Sequence, residues 1–288
     1  MKNKSPHVAT VVNFCTNELC FLRPCLEQAS LFSNEVVVVV ASHFFDGTPE
    51  NRLLLDQIYR AFPAVLFVEY PFLPSAIPSK VFKQVRKENF WHSLSRWIGF
   101  SHLSKEIQWV LFLDADEVAE GERFSSWLRS SSLSSPAAFK LANYWYFREP
   151  VYRATTLEDS CLLVSKEDVL KDFVLHSDER DALYRHFRQR TRGVTGADGI
   201  PFFHHFSWVR TEKEMLRKVR AWGHKGDRDW EALVRKEWSA PFSGTDFVHN
   251  YRFQKVPAPF LLDGLLPPPQ GNGGNVLFLE KKELLSFL

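Results

Sequence analysis

Two carboxylates, Asp114 and Asp116, stand one residue apart at the end of an apolar segment, Trp109 to Leu113. Five consecutive apolar residues are typical of a strand that is covered on both faces, as in the middle of a parallel sheet. Because side chains alternate along a strand, both acids point the same way and Ala115 points to the other face. Their oxygens suit a divalent cation that carries a phosphate, with Asp116 at an exposed strand end. For an isolated Asp-x-Asp, a strand that simply ends in acidic loop residues is the more common interpretation.

The elements before this pair alternate between strand and helix. The patterning predicts helices over Glu18–Ser30, from Pro49 as the first helical residue, and over Asn89–Phe100. Because proline belongs in a first turn, Pro24 predicts that the regular part of the first helix begins near Arg23, and Thr48 is a candidate cap for the second. This order predicts an α/β fold with a doubly wound, mostly parallel mixed sheet and flanking helices. The strands are expected at Val8–Phe14, Glu35–Ala41, Val65–Tyr70 and from Trp109 onward.

The second half of the chain is predicted to extend the sheet. Two strands are expected, at Ala138–Phe147 and Ser160–Ser165, and Thr211 with Glu214 three residues later predicts a capped helix start. We expect one domain over residues 1–256, with a donor-binding half over 1–120 and an acceptor half over 121–256. Residues 257–288 form a tail that begins rich in proline and glycine.

Composition excludes several classes of protein. The 36 basic and 34 acidic residues nearly cancel, which argues against nucleic acid as a partner. The four cysteines lack the spacing of a zinc site or a disulfide framework and are interpreted as reduced thiols. The polar start of the chain and the short apolar runs give neither a secretory signal nor a membrane span. We therefore expect a cytoplasmic protein, and the many Phe and Trp residues are compatible with peripheral contact at the inner membrane face.

Several motifs occur in one order along the chain. A strand is followed by Asn17-Glu18, a second strand by Asp46-Gly-Thr, and a helix carrying Arg96 precedes Leu-Asp-Ala-Asp-Glu. This order resembles the nucleotide-sugar domain of GT-A glycosyltransferases, especially family-2-like enzymes. The block Phe202-Phe-His-His-Phe-Ser-Trp-Val-Arg, continuing to Ala-Trp-Gly-His224, is similar to a segment of bacterial enzymes of this kind. The resemblance covers roughly Val8 to Trp230.

The resemblance implies a role for each matching position. Asp46 would bind the nucleotide base, Asn17 and Glu18 would lie near the base and ribose, and Arg96 would help to hold the nucleotide. Asp114 would face the ribose and the metal ion, and Asp116 would ligate Mn²⁺ or Mg²⁺ directly. His205, or else His204, would complete the metal site. Since adjacent strand residues face opposite ways, only one of the two histidines is expected to be a ligand, and a core histidine is the alternative for each.

The same resemblance implies an inverting transfer from a UDP-sugar to a hydroxyl group of a glycan, lipid or protein acceptor. Such a transfer needs a general base. The triplet Leu157-Glu158-Asp159 matches the position that supplies this base in many inverting GT-A enzymes, which makes Asp159 the candidate. Asp178 and Asp198 are rivals, and a solvated surface residue is the alternative interpretation of Asp159.

Two other functions fit the same central motif. In a haloacid-dehalogenase-like phosphatase, Asp114 would be the nucleophile and Asp116 the acid, but that motif usually opens its domain, whereas a hundred residues of alternating α/β precede it here. A binding protein with the GT-A fold and no catalysis is the second alternative. It would have lost the metal carboxylates or the base, and this chain keeps the carboxylates.

Overall fold

The first half of the chain builds a parallel sheet with helices on both faces. The computed structural model describes residues 6–77, 87–131, 133–135, 137–175, 179–269 and 273–288. Strand β1 pairs in parallel with β2 and β4, and β2 pairs in parallel with β3. The elements are β1 (Val8–Phe14), α1 (Leu19–Ala29), β2 (Glu35–Ala41), α2 (Arg52–Ala61), β3 (Leu66–Tyr70), α3 (Lys87–Ser101) and β4 (Trp109–Asp114).

The second half extends this sheet with mostly antiparallel pairings. Its elements are β5 (Glu117–Ala119), α4 (Gly121–Ser130), β6 (Ala137–Phe147), β7 (Glu149–Ser165), α5 (Lys171–Leu175), α6 (Glu179–His186), β8 (Gln189–Val194), β9 (Phe203–Trp208), α7 (Glu212–Ala221), α8 (Trp230–Trp238), β10 (Phe253–Lys255), β11 (Val276–Phe278) and α9 (Lys281–Ser286). The strand order is β11-β3-β2-β1-β4-β7-β6-β9-β5, with β10 beside β7 and β8 beside β6. The predicted fold class is confirmed, and β4 lies inside the sheet as expected.

Alternation along the buried strands supplies two hydrophobic cores. Val8 and Val12 pack with α1 and α2 on one face of the sheet, whereas Ala9 and Val11 pack with α3 on the other. The helix α3 approaches the sheet closely, since a Cβ atom on Gly99 would lie 2.5 Å from a methyl group of Val11. A third core lies between the second half of the sheet and helices α7 and α8. Within the described ranges, none of the helices combines the length and apolar character that crossing a bilayer requires.

Two helix starts differ from the sequence-based expectation. Helix α1 begins at Leu19 and contains Pro24 in its interior, where burial of one apolar face against the sheet outweighs the missing backbone donor. Helix α2 begins at Arg52, and Asn51 is its cap, accepting from the backbone of Leu54. Thr48 and Pro49 do not begin this helix. They belong to the turn before it, in which the Thr48 carbonyl accepts a hydrogen bond from Phe44 N at 2.8 Å. The capping box of Thr211 and Glu214 at the start of α7 is confirmed.

The end of the chain returns to the sheet. Strand β11 pairs in parallel with β3, and Leu284 of α9 is buried in the same core as α3. The residues 276–286 therefore pack on the body of the protein, on the edge opposite to β9 and β5.

Candidate active site

A cavity of about 580 Å³ opens at the carboxyl ends of β1, β2 and β4. This is the edge at which open α/β sheets bind ligands. The predicted site residues that line it are Asn17, Glu18, Arg96, Asp114, Asp116 and His205. Asp46, His204 and Asp159 are described residues that lie outside its lining.

Asp116 is buried, with 2% of its surface exposed, rather than lying at an exposed strand end. The reason is that β9 and α7 cover it. Its Oδ2 atom accepts from Lys218 Nζ at 2.8 Å and from Arg210 Nη2 at 3.0 Å. Burial alone would raise the pKa of this carboxyl, but the charges of Lys218 and Arg210 hold the pKa well below its usual range. Asp116 is therefore a fixed negative charge.

Asp114 is neutralised in the same way by a different pair of cations. Arg96 lies 3.1 Å from its Oδ1 atom, and Arg180 lies 3.4 Å from Oδ2. Despite burial, Arg180 and Arg96 lower the pKa of the carboxyl. Arg180 also donates to Oε1 of the fully buried Glu117 at 2.7 Å. Both acids of the predicted pair thus have two cationic partners each.

Glu18 shares the cations of Asp116. Arg210 donates to Glu18 Oε1 at 2.9 Å, and Lys218 Nζ lies 3.9 Å from the same atom. Burial, followed by the charge of Asp116, raises the pKa of Glu18 to about 8 against the opposing effect of the two cations. The neighbouring Asn17 donates from Nδ2 to the Glu214 carbonyl at 3.1 Å, which fixes it against α7.

The two adjacent histidines lie on opposite faces of β9, as the alternation predicts. His204 is a core residue, with Nδ1 2.8 Å from the Tyr146 hydroxyl and Nε2 3.0 Å from Glu120. His205 faces the cavity, and its Nε2 atom lies 3.7 Å from Asp116 Oδ1. Burial lowers the pKa of His205, but the surrounding carboxylates, Glu158 first, raise it overall.

Glu158 and Asp159, the two acids of the proposed base triplet, point to opposite faces of β7 because side chains alternate along a strand. Glu158 lines the cavity, whereas the Asp159 carboxylate faces away and accepts from Arg192 at 2.8 and 2.9 Å. Glu158 has two imidazole neighbours, His205 Nδ1 at 3.7 Å and His249 Nδ1 at 3.3 Å. Burial opposes its ionisation, yet these two histidines lower the pKa of Glu158 to about 2.

Two further candidates, Asp46 and Asp198, are not part of the cavity lining. Asp46 accepts from the backbone of Thr48 at 2.8 Å within its turn. Asp198 is paired with Arg123 at 3.1 Å. Asp178 falls outside the described residues.

Several residues of the site were not assigned to it from the sequence. Arg180, Arg210 and His249 had no predicted role in it, although Arg210 ends the aromatic block that contains His205. The four tryptophans of the cavity wall come from four separate segments of the chain. The sequence shows that tryptophan is frequent, but it does not show that these four residues line one cavity. They are Trp145, Trp208, Trp222 and Trp230.

The side chains that could ligate a metal ion supply only part of a coordination shell. No group of three or more His, Cys, Asp or Glu side chains with metal-binding geometry occurs among the described residues. Asp116 Oδ1 and His205 Nε2 do face each other, while Asp116 Oδ2 is engaged by Lys218 and Arg210. Glu158 Oε2 lies 3.7 Å from Nδ1 on the far side of the His205 ring, which is beyond hydrogen-bond distance. Two protein ligands fit an ion that takes its other ligands from a bound phosphate and water.

Comparison with known proteins gives similarity in structure only. No family model and no curated protein matches the sequence. A catalytic domain of Drosophila β1,4-galactosyltransferase 7 in complex with xylobiose matches with 13% identity over 82% of each chain and a TM-score of 0.40. The 4-diphosphocytidyl-2C-methyl-D-erythritol synthase of Anaerococcus prevotii matches with 10% identity, 73% of this chain, 95% of that chain and a TM-score of 0.40. The glycosyltransferase GlyE of Streptococcus pneumoniae matches with 9% identity, 84% of this chain, 67% of that chain and a TM-score of 0.38.

Two of these three proteins are named as glycosyltransferases, and the third is named for a different reaction. The function of this protein depends on the side chains that its own sequence places in the cavity.

Proposed function

We propose that this protein transfers a sugar from a nucleoside-diphosphate sugar, with a UDP-sugar as the expected donor, to a hydroxyl group of a glycan, lipid or protein acceptor. The observation that carries the proposal is the position of Asp116 and Lys218 in the cavity lining at the carboxyl edge of β4, with Arg210 buried behind Asp116 and tryptophans in the cavity walls. Cations at this edge of the sheet match the diphosphate, and aromatic faces match the sugar.

The two sides of the cavity have different side chains, which suit different parts of the substrates. The side formed by β1, β2 and α3 offers polar and aromatic groups such as Asn13 and Phe45, which suit a nucleoside. On the other side the indole nitrogen of Trp222 is buried and has no hydrogen-bond partner among the described residues. That N–H is a donor for a hydroxyl group of the sugar or the acceptor. These groups support a proposal in which the nucleotide and the carbohydrate bind at different sides of the cavity.

A divalent ion, Mn²⁺ or Mg²⁺, would be held by Asp116 and His205. When bound, such an ion offsets the negative charge that develops on the departing diphosphate. Lys218 and Arg217 extend from α7 into the same cavity and supply further positive charge. Asp114 is expected to face the ribose, with Arg96 and Arg180 fixing its orientation.

The phosphatase alternative requires a proton on Asp116. A residue that protonates a leaving group must carry its proton at working pH. The contacts of Asp116 with Lys218 and Arg210 stabilise its ionised form instead. This geometry favours glycosyl transfer over an aspartyl-phosphate mechanism.

A thermal-shift measurement with nucleotides tests the proposal. UDP with Mn²⁺ should raise the melting temperature by about 5 to 10 °C, because a ligand at a hundredfold excess over its dissociation constant stabilises the folded state by about 2.7 kcal/mol. The shift should be smaller with EDTA. Orthophosphate, and beryllium fluoride with Mg²⁺, should give little shift.

Two substitutions on α7 make a matched pair for this measurement. Lys218→Met removes a cation of the cavity and should reduce the UDP-dependent shift relative to its own unliganded protein. Lys213→Met removes an exposed cation of the same helix that is not part of the cavity lining, and should keep the shift. A folded wild-type protein with no response to any nucleoside diphosphate in the presence of metal would refute the proposed function.

A further inference from the structure

Glu158 and His249 form a carboxylate–imidazole pair on the wall of the cavity, next to the tryptophans. Glu158 Oε1 lies 3.3 Å from His249 Nδ1, and both residues line the cavity. Glu158 is largely buried, with 19% of its side chain exposed, whereas His249 is 41% exposed. One end of the imidazole thus faces a fixed carboxylate, and the ring remains accessible from the cavity.

The loop that carries His249 is held in place by its own hydrogen bonds. The Asp246 carboxylate accepts from the backbone nitrogens of Val248, His249 and Tyr251 at 2.6 to 2.7 Å, and Asp246 is only 3% exposed. Beyond the loop, β10 pairs with β7, the strand that carries Glu158. The separation between the two side chains is therefore fixed by backbone contacts.

Aromatic rings fix the orientation of the imidazole. The His249 ring lies 4.9 Å from the Trp145 ring and 5.0 Å from the Tyr251 ring. Trp145 is buried and belongs to the third core, so it provides a rigid support. A carboxylate and an aromatic wall that hold an accessible imidazole make an arrangement suited to proton transfer.

We propose that His249 is the general base of the transfer reaction and that Glu158 is its positioning residue. This inference rests on the proposed function. With Nδ1–H donating to Glu158, the Nε2 lone pair of His249 accepts the proton of the acceptor hydroxyl. The acceptor oxygen forms the bond to the anomeric carbon, and the bond from that carbon to the diphosphate oxygen breaks with its electron pair leaving on the nucleoside diphosphate. The imidazolium, stabilised by Glu158, later loses its proton to water.

The neighbouring carboxylates are less suited to this role. Glu158 lies between two imidazoles, His205 at 3.7 Å and His249 at 3.3 Å, and its side chain is less exposed to the cavity than that of His249. Asp159 faces away from the cavity towards Arg192. His224 is the rival imidazole, because it also lines the cavity and has a carboxylate neighbour, Asp227, at 3.0 Å.

Release of UDP measures the reaction whichever acceptor takes the sugar. A panel of UDP-hexoses is assayed with p-nitrophenyl glycosides as acceptors and with water alone. His249→Ala and His249→Gln should lower kcat by about 10² to 10⁴-fold, the usual loss for a general base, with the donor KM within about threefold of wild type. Added imidazole should restore part of the activity of His249→Ala.

Because Glu158 also lies beside His205, its variant is assayed at saturating Mn²⁺. Under that condition Glu158→Gln should lower kcat less than His249→Ala does, with the donor KM unchanged. Imidazole should not restore its activity, because the native His249 ring is still present. His102→Ala removes a histidine that is not part of the cavity lining and should retain wild-type turnover. The UDP-dependent thermal shift should remain in all four variants.

Several results would overturn the assignment while leaving the proposed function intact. They are near-wild-type kcat in both His249 variants, imidazole rescue of His224→Ala instead, or loss of the UDP-dependent shift in His249→Ala, which would make His249 a donor-binding residue. A product that keeps the anomeric configuration of the donor by NMR would also overturn it, since retention needs no such base. Failure of the wild-type protein to bind UDP, or to release it from any UDP-hexose, would reject the transfer reaction itself.

Discussion

Two charged groups lie side by side at the floor and wall of the cavity, with Arg210 of the first group buried beneath its lining, and they are built differently. The acid–cation cluster comprises Asp114, Asp116, Arg96, Arg180, Arg210 and Lys218, and each of its acids has two cationic partners. The Glu158–histidine group comprises Glu158, His205 and His249, and its partners are imidazoles. The first group pairs carboxylates with arginine and lysine, whereas the second pairs one carboxylate with two imidazoles.

This difference separates binding from proton transfer. Arginine and lysine remain charged at any working pH, so the acid–cation cluster presents a constant field to a diphosphate. Imidazole changes its charge within the range in which enzymes operate. His205 lies between the two groups, with Asp116 at one ring nitrogen and Glu158 at the other. A metal ion at His205 would therefore be sensitive to both groups.

The largest effect on stability is expected at Arg210. Its side chain is fully buried between Asp116 and Glu18. Arg210→Met should lower the free energy of unfolding by about 3 to 5 kcal/mol, because it removes the 2.9 Å partner of Glu18 and leaves Lys218 to serve both buried acids. Denaturant unfolding monitored by tryptophan fluorescence gives this value.

Arg220→Met is the control for Arg210→Met. Arg220 lies on α7 and makes a half-exposed pair with Glu231, so its loss should change the unfolding midpoint little. His249→Ala should also change it by no more than about 1 kcal/mol, since that ring is partly exposed. Equal midpoints for Arg210→Met and the wild type would show that the acid–cation cluster does not stabilise the fold.

The sequence predicted the central sheet better than the environment of its acids. The strands β1, β2 and β4 are apolar runs of a length that only a buried strand explains, and their patterns are local. The partners of Asp116 come from residues 94 and 102 positions away, Arg210 and Lys218. No local sequence pattern indicates that Arg210 and Lys218 contact Asp116. The prediction that Asp116 is exposed was therefore wrong.

The histidines show what alternation alone can decide. His204 and His205 were expected on opposite faces of a strand, and the structure has them so. The same alternation separates Glu158 from Asp159, but the sequence did not indicate which of them faced the cavity. The face depends on how β7 pairs with β6 through its irregular register. The position of His249 depends on a loop that leads into β10, which pairs with β7. The residue composition of that loop does not predict this pairing.

An intermediate effect is expected from Glu158 at low pH. The ordinary pKa of a glutamate is near 4.5, and His205 and His249 lower that of Glu158 to about 2 against the effect of burial. Its contribution is therefore complete above pH 4.5 and is lost as the pH falls towards 2. At about 1.4 kcal/mol per pKa unit, the loss amounts to up to about 3 kcal/mol.

Acid unfolding curves of Glu158→Gln and wild type measure this contribution. The substitution should flatten the fall in stability between pH 4.5 and 2. In the background of His249→Ala the same substitution should have a smaller effect, because one of the two imidazole partners is already absent. If Glu158→Gln leaves the acid limb of the curve unchanged, the two histidines do not stabilise the Glu158 carboxylate.

The smallest effect is expected at Asp159, next to Glu158 but on the other face of β7. Arg192, its main partner, is 59% exposed, and Lys140, which lies 3.6 Å from Asp159, keeps its contact with Asp181. Asp159→Asn should therefore lower stability by less than about 1 kcal/mol and leave kcat within about threefold of wild type. The pair Glu158→Gln and Asp159→Asn compares two adjacent carboxyl groups in one UDP-release assay. If Asp159→Asn loses two or more decades of kcat while Glu158→Gln does not, the base lies on the Arg192 side of the strand, and β7 must present its other face to the acceptor during the reaction.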